Sequence, residues 1–161
     1  MNPLIPRMLL ISGLTAFSLA LHAQVADVAD EDVITINGCA LVRGTSCPGV
    51  DLRQADLRHK DLSKADFTGA NLEFARFSAA RMHEVILRAA NLEMAWLPKA
   101  DLKGADLSDA NLQESKMNHA NLESATMTGT RLHYGTYLNM HMTDCTDCPV
   151  DWEAHLSSQA R

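Results

Sequence analysis

The feature that most constrains this chain is a period of five. From Leu52 to Met142 every fifth residue is Leu, Phe, Met or Tyr, nineteen in succession with no insertion or deletion. Two residues before most of these stands a small residue, usually Ala, and the residue between is most often polar, as in Ala55-Asp56-Leu57, Ala105-Asp106-Leu107 and Ala120-Asn121-Leu122. That period matches neither the 3.6-residue stripe of a helix nor the alternation of a plain strand. In an extended segment residues two apart share a face, so the Ala and the large residue point inward together and the chain must turn before the next quintet. Turns repeated in this way would coil the chain. Large side chains would then fill the axis, and stacked coils would pair at about 4.8 Å.

The pattern A-(D/N)-L-x-x, running from about Val50 to Asp144, resembles the pentapeptide-repeat family. The resemblance implies an all-β fold: a right-handed parallel β-solenoid, or quadrilateral β-helix, of about five coils with small N- and C-terminal caps. Leu52, Leu72, Leu92 and Leu112 would form one internal column. Lys60 and Met140 sit where a small inward residue belongs, Val50 and Val85 are larger than Ala there, and Ile86 replaces the usual polar residue. Local distortion is expected at these positions, with the Lys60 amine reaching solvent along its apolar stem. Asp51, Asp56, Asp61 and Asp66 follow the repeat and belong to its structure. Asn71, Asn91 and Asn111 should stack as an amide ladder.

The ends read differently. Residues 1–23, with Arg7 ahead of an apolar run from Met8 to Ala20, are expected to be a signal peptide cut after Ala23; the run is too short to span a bilayer. No cysteine follows that run to carry a lipid anchor. Residues 24–49 read as an acidic linker and N-cap, with Val33-Ile34-Thr35-Ile36 alternating like a short strand. Residues 145–161 read as a C-terminal cap in which Asp151 to Ser158 would form a short helix over the last coil. A solenoid needs such caps over its open edges. The four cysteines are Cys39, Cys47, Cys145 and Cys148, an even number that in an exported chain points to disulfides. Cys39 with Cys47 is the natural N-terminal pair, whereas Cys145 with Cys148 would close a strained small ring. A four-cysteine zinc site would need both pairs together, and about five coils at strand spacing hold them roughly 24 Å apart.

A formal charge of −6 and few aromatics argue against a nucleic-acid binder with a generally basic surface. Wrapped at twenty residues per coil, the seven histidines do not converge, and no nucleophile meets a base. No catalytic residue, metal site or cofactor is expected, and the chain does not read as an enzyme. One outward cluster stands out: Phe74 and Met94 on one ladder, with Trp96 between Arg76 and Lys116 on the next. An aromatic between two cations can hold a cation–π stack, and large outward apolar residues are not needed by the fold. The expectation is a periplasmic or secreted structural or interaction module that binds a protein through this patch, without a stable membrane anchor after signal cleavage. The alternative is a mimic of DNA that binds gyrase, as in the family's quinolone-protection branch. Mimicry needs dense negative charge. Residues 50–144 hold thirteen Asp plus Glu against eleven Lys plus Arg, a net of −2.

Overall fold

The computed structural model describes residues 33–149. The expected signal peptide and the expected helix from Asp151 to Ser158 lie outside the described residues. The first elements are β1 (Thr35–Ile36) and β2 (Cys39–Ala40), paired antiparallel with Thr35 opposite Ala40 and Ile36 opposite Cys39. Asn37 and Gly38 join them with φ of 52° and 79°, the two left-handed residues that a tight hairpin turn requires and that Asn-Gly supplies most cheaply. The strand expected over residues 33–36 is therefore confined to Thr35–Ile36 and folds back at once. A disulfide from Cys39 to Cys47, with Cα atoms 5.8 Å apart, ties the hairpin to the start of the repeats.

From there the chain coils. Seventeen parallel bridges, from Ser46 with Asp66 to Thr126 with Thr146, each join residue n to residue n+20. One bridge falls in every quintet, so each turn of the coil has four sides. From Asp51 to His141 the bridging residue is the one before the large inward side chain, and its neighbours exchange backbone hydrogen bonds between coils. On one side, for example, the Trp96 N–H donates to the Ala75 carbonyl at 2.9 Å and the Phe77 N–H to the Trp96 carbonyl at 2.7 Å.

Apart from the one at residues 132–135, the corners are β-turns. The N–H of the small inward residue donates to the carbonyl of the preceding large one, as Ala75 does to Leu72 at 3.0 Å. The third residue of the turn has φ near 60°, whether it is Gly69, Gly104 and Gly129 or His59, Lys64, Phe74, Ala89 and Met94. One positive φ at that position is the mark of a type II turn. Where the bridging residue is Asp or Asn it holds the corner from outside: its Oδ1 accepts the N–H two residues on, at 2.9 Å from Thr68 to Asp66 and 3.1 Å from Ser108 to Asp106 and from Glu123 to Asn121. A short acceptor side chain is needed for that local bond, which is why Asp and Asn recur at the position.

Inside, Leu52, Leu72, Leu92 and Leu112 stack with at most 1 % exposure, and the Leu57, Phe77, Leu97, Met117 column is as dry. Each such side chain contributes about 1.5–3 kcal/mol by burial. Ala fills the narrower inward position. Where Ala closes a turn, its hydrogen bond is 2.9–3.1 Å; at Val50, Lys60 and Val85 it is 3.3–3.4 Å. The larger side chains push the corner outward by a few tenths of an ångström while the twenty-residue register holds.

The last full coil departs from the pattern at Gly135, which stands at an Ala position. Its missing Cβ makes room for the buried Tyr137 ring, and a Cβ there would also come within 2.6 Å of the Ser115 carbonyl. The Tyr137 hydroxyl donates to the Leu112 carbonyl at 2.9 Å, and burial pushes its phenol pKa upward.

Candidate functional site

The corner turns decide which residues face outward. In each quintet the bridging residue and the two central turn residues project from the coil, so their ladders form the sides of the rod. Between residues 50 and 132 four large hydrophobic side chains are exposed: Phe74, Ile86, Met94 and Trp96. Three of them adjoin. Phe74 and Met94 are corner residues in successive coils, and Arg76 and Trp96 follow two residues later on the next side.

Trp96 is 45 % exposed and bridges Arg76 in the coil before and Lys116 in the coil after. The Lys116 ammonium lies over the indole, 4.5 Å from its centroid, a geometry worth about 0.5–1 kcal/mol at an exposed site. The five residues expected to form a patch are thus brought onto one corner and one side, with Lys116 as the cation over the ring. Phe74 and Met94 hold φ of 59° and 55°, where any Cβ is disfavoured.

The remaining surface is held by short-range pairing. Asn91 donates to the Asn71 amide oxygen at 3.4 Å and Asn111 to that of Asn91 at 3.1 Å, so the expected amide ladder is present. Asn111 also donates to the Glu93 carboxylate at 3.1 Å. Ion pairs staple successive coils: Lys64 with Glu84 at 3.6 Å, Arg81 with Asp61 at 3.8 Å, Lys103 with Glu123 at 2.9 Å, and Arg88 with Asp106. Several carboxyls are held below their usual pKa. Side-chain hydrogen bonding from Arg58 brings Asp56 to about 2, and the hydroxyls of Ser63 and Thr68 lower Asp61 and Asp66.

Sequence reasoning missed one contact among the histidines. His83 Nε2 lies 2.5 Å from Asp101 Oδ2, a diagonal across coils that same-ladder wrapping does not bring together. Both side chains are well exposed, and the other Asp101 oxygen accepts from the Asn121 amide at 3.0 Å. At the far end Cys145 and Cys148 are joined, with Cα atoms 5.7 Å apart. Among the described residues no group of His, Cys, Asp and Glu has the geometry to hold a metal.

The profile of pentapeptide repeats matches eight copies in this chain, over residues 45–83 and 105–135. Among solved structures, Rfr23, a pentapeptide repeat protein from the cyanobacterium Cyanothece 51142, is 26 % identical, with 64 % of this chain and 88 % of Rfr23 covered and a TM-score of 0.58. HetL from Nostoc sp. strain PCC 7120 is 33 % identical over 63 % of this chain and 50 % of its own, with a TM-score of 0.35. A pentapeptide repeat protein of the Arabidopsis thaliana thylakoid lumen is 27 % identical over 72 % of this chain and 75 % of its own, with a TM-score of 0.31. No curated protein matches the sequence. The repeats, the four-sided coil of twenty residues and the likeness to Rfr23 agree: the chain belongs to the pentapeptide-repeat family, and its fold is the right-handed quadrilateral β-helix.

Proposed function

We propose that this protein is an exported, non-enzymatic rod that binds a protein partner through Phe74, Met94 and Trp96, flanked by Arg76 and Lys116. The observation that carries the reading is the adjacency of three exposed large hydrophobics in mid-rod, where the core does not call for them. Two occupy left-handed corners that glycine would fill at lower cost. A side whose residues are fixed at strand spacing is pre-organised, so binding orders little.

Export is supported by the signal-like N-terminus and by the cysteines, which are paired at both ends of the coil; such bonds persist in oxidising compartments. DNA mimicry is disfavoured, because a net of −2 over residues 50–144 does not replace a phosphate backbone.

The test is affinity capture from a periplasmic fraction with the mature protein and with a Phe74→Ala/Trp96→Ala variant. Loss of a partner in the variant, with its fold intact, supports the reading; an unchanged set of partners refutes it. Uncleaved full-length chain in the cytoplasm would refute export.

A further inference from the structure

We propose that the patch selects an acidic peptide segment that also carries apolar side chains. The proposal rests on the reading above that this surface binds protein, and adds the chemistry of the partner. The side of the rod that carries Trp96 has Asp56 as its single carboxylate, against Arg58, Arg76, Lys99 and Lys116, a net of +3. Since residues 50–144 total −2, everything else in the coil sums to −5. The rod is therefore acidic with one basic side. His59 and His119 are exposed on the same side.

Pairing distinguishes this side further. Elsewhere Lys64, Arg81, Arg88 and Lys103 are each bound to a carboxylate of a neighbouring coil. Here Arg58 is paired with Asp56, while Arg76, Lys99 and Lys116 have no carboxylate within ion-pair distance among the described residues. Cations that no carboxylate of the fold neutralises at close range are complementary to an acidic partner outside it. The corner of Phe74 and Met94 runs along the border of this side, with Glu73 and Glu93 one residue before them and Glu114 next on their ladder, so a ligand would meet cations on the side and apolar groups at the corner, its carboxylates kept to the side by those of the corner.

A peptide fits these numbers better than the other polyanions. A DNA duplex presents a phosphate about every 1.7 Å, and an anionic bilayer is typically held by clusters of about 4–8 Lys or Arg; three unpaired cations beside an apolar border fall short of both. A segment with a few carboxylates and interspersed large side chains does not.

The probe is a random copolymer of glutamate and tyrosine, read by Trp96 fluorescence in a Trp152→Phe protein at low salt. Saturable binding is expected, weaker for polyglutamate and reduced at least tenfold by Arg76→Glu/Lys116→Glu. Arg81→Glu/Lys103→Glu, on the neighbouring side, should leave it unchanged, with circular dichroism confirming that each variant folds. Equal weakening by both reversals, no binding of the copolymer, or tighter binding to phosphatidylglycerol vesicles or to duplex DNA would overturn the proposal. If the copolymer fails while Phe74→Ala/Trp96→Ala still loses a captured partner, the acidic chemistry is wrong and the partner-binding surface stands.

Discussion

Replacing Ala89 by glycine should stabilise this protein, although glycine within a regular element ordinarily weakens it. Ala89 is exposed at a corner with φ of 52°, and its Cβ costs about 1–2 kcal/mol in that left-handed region. Glycine removes the cost and loses about 0.5–1 kcal/mol through the greater freedom of the unfolded chain. A net gain of about 0.5–1 kcal/mol remains. The reverse change is available at Gly69, with φ of 65°, where an added Cβ would meet nothing within 4 Å. Gly69→Ala should therefore lose a similar amount for conformational reasons alone. Gly129→Ala should lose more, since its Cβ would run into the Asp109 carboxylate, whose Cγ is 3.4 Å away. Urea denaturation followed by circular dichroism should order the midpoints as Ala89→Gly, wild type, Gly69→Ala, Gly129→Ala, with a common slope. A lower midpoint for Ala89→Gly beside an unaltered one for Gly69→Ala would mean that the corners are not left-handed, and the account of the turns would fail.

Other expectations follow from the core, the caps and the carboxylates. Leu92→Ala in the middle of its column should cost about 2–5 kcal/mol, and Leu132→Ala, at the partly exposed end of the same column, clearly less; equal losses in urea melts would contradict a stack open at its end. Removing the Cys39–Cys47 bond by a double Ser substitution should cost about 2–3 kcal/mol for a sequence separation of 8, and a reductant should lower the wild-type midpoint by a like amount. Gly135→Ala should overpack the Tyr137 ring and cost about 1–3 kcal/mol, part of which Tyr137→Leu in the same chain should return. Acid should also weaken the fold. Asp51, Asp56, Asp61, Asp66 and Asp106 all have pKa values below the ordinary 3.8, so their contribution is complete above that pH and is lost as pH falls through the folded values, about 2 for Asp56. A urea midpoint that stays level or rises from pH 5 to pH 2 would contradict it; the slope should be shallow, because these groups are largely solvated.

The inward columns were legible in the sequence because a narrow square section tolerates only one large and one small residue per side, and that steric demand repeats at every quintet. The corners were not legible. Their left-handed residue is Gly at 69, 104 and 129, but His, Lys, Phe, Glu and Met stand at other corners, so residue type alone carries little of the signal. The recurring Asp and Asn marked a structural position without revealing the bond to the N–H two residues on. Asn37-Gly38 was a readable hairpin signal that the alternation of Val33 to Ile36 obscured. His83 with Asp101, like Arg88 with Asp106, spans a separation of 18, a diagonal between adjacent ladders that side chains long enough to lean can close. The patch is legible in the chain wrapped at twenty residues, whereas its charge setting depends on which side each cation faces and which carboxylate it reaches.

The twenty-residue coil can be measured without a crystal. Ser78 and Asn118 stand on one ladder, two coils apart, which places their backbones about 10 Å from each other at strand spacing, whereas the same stretch as an α-helix would span about 60 Å. With the native cysteines paired, nitroxides on Ser78→Cys/Asn118→Cys should give an electron paramagnetic resonance spectrum strongly broadened by their mutual coupling. A spectrum equal to the sum of the two single-label spectra would contradict the coil, and with it every ladder and side described here.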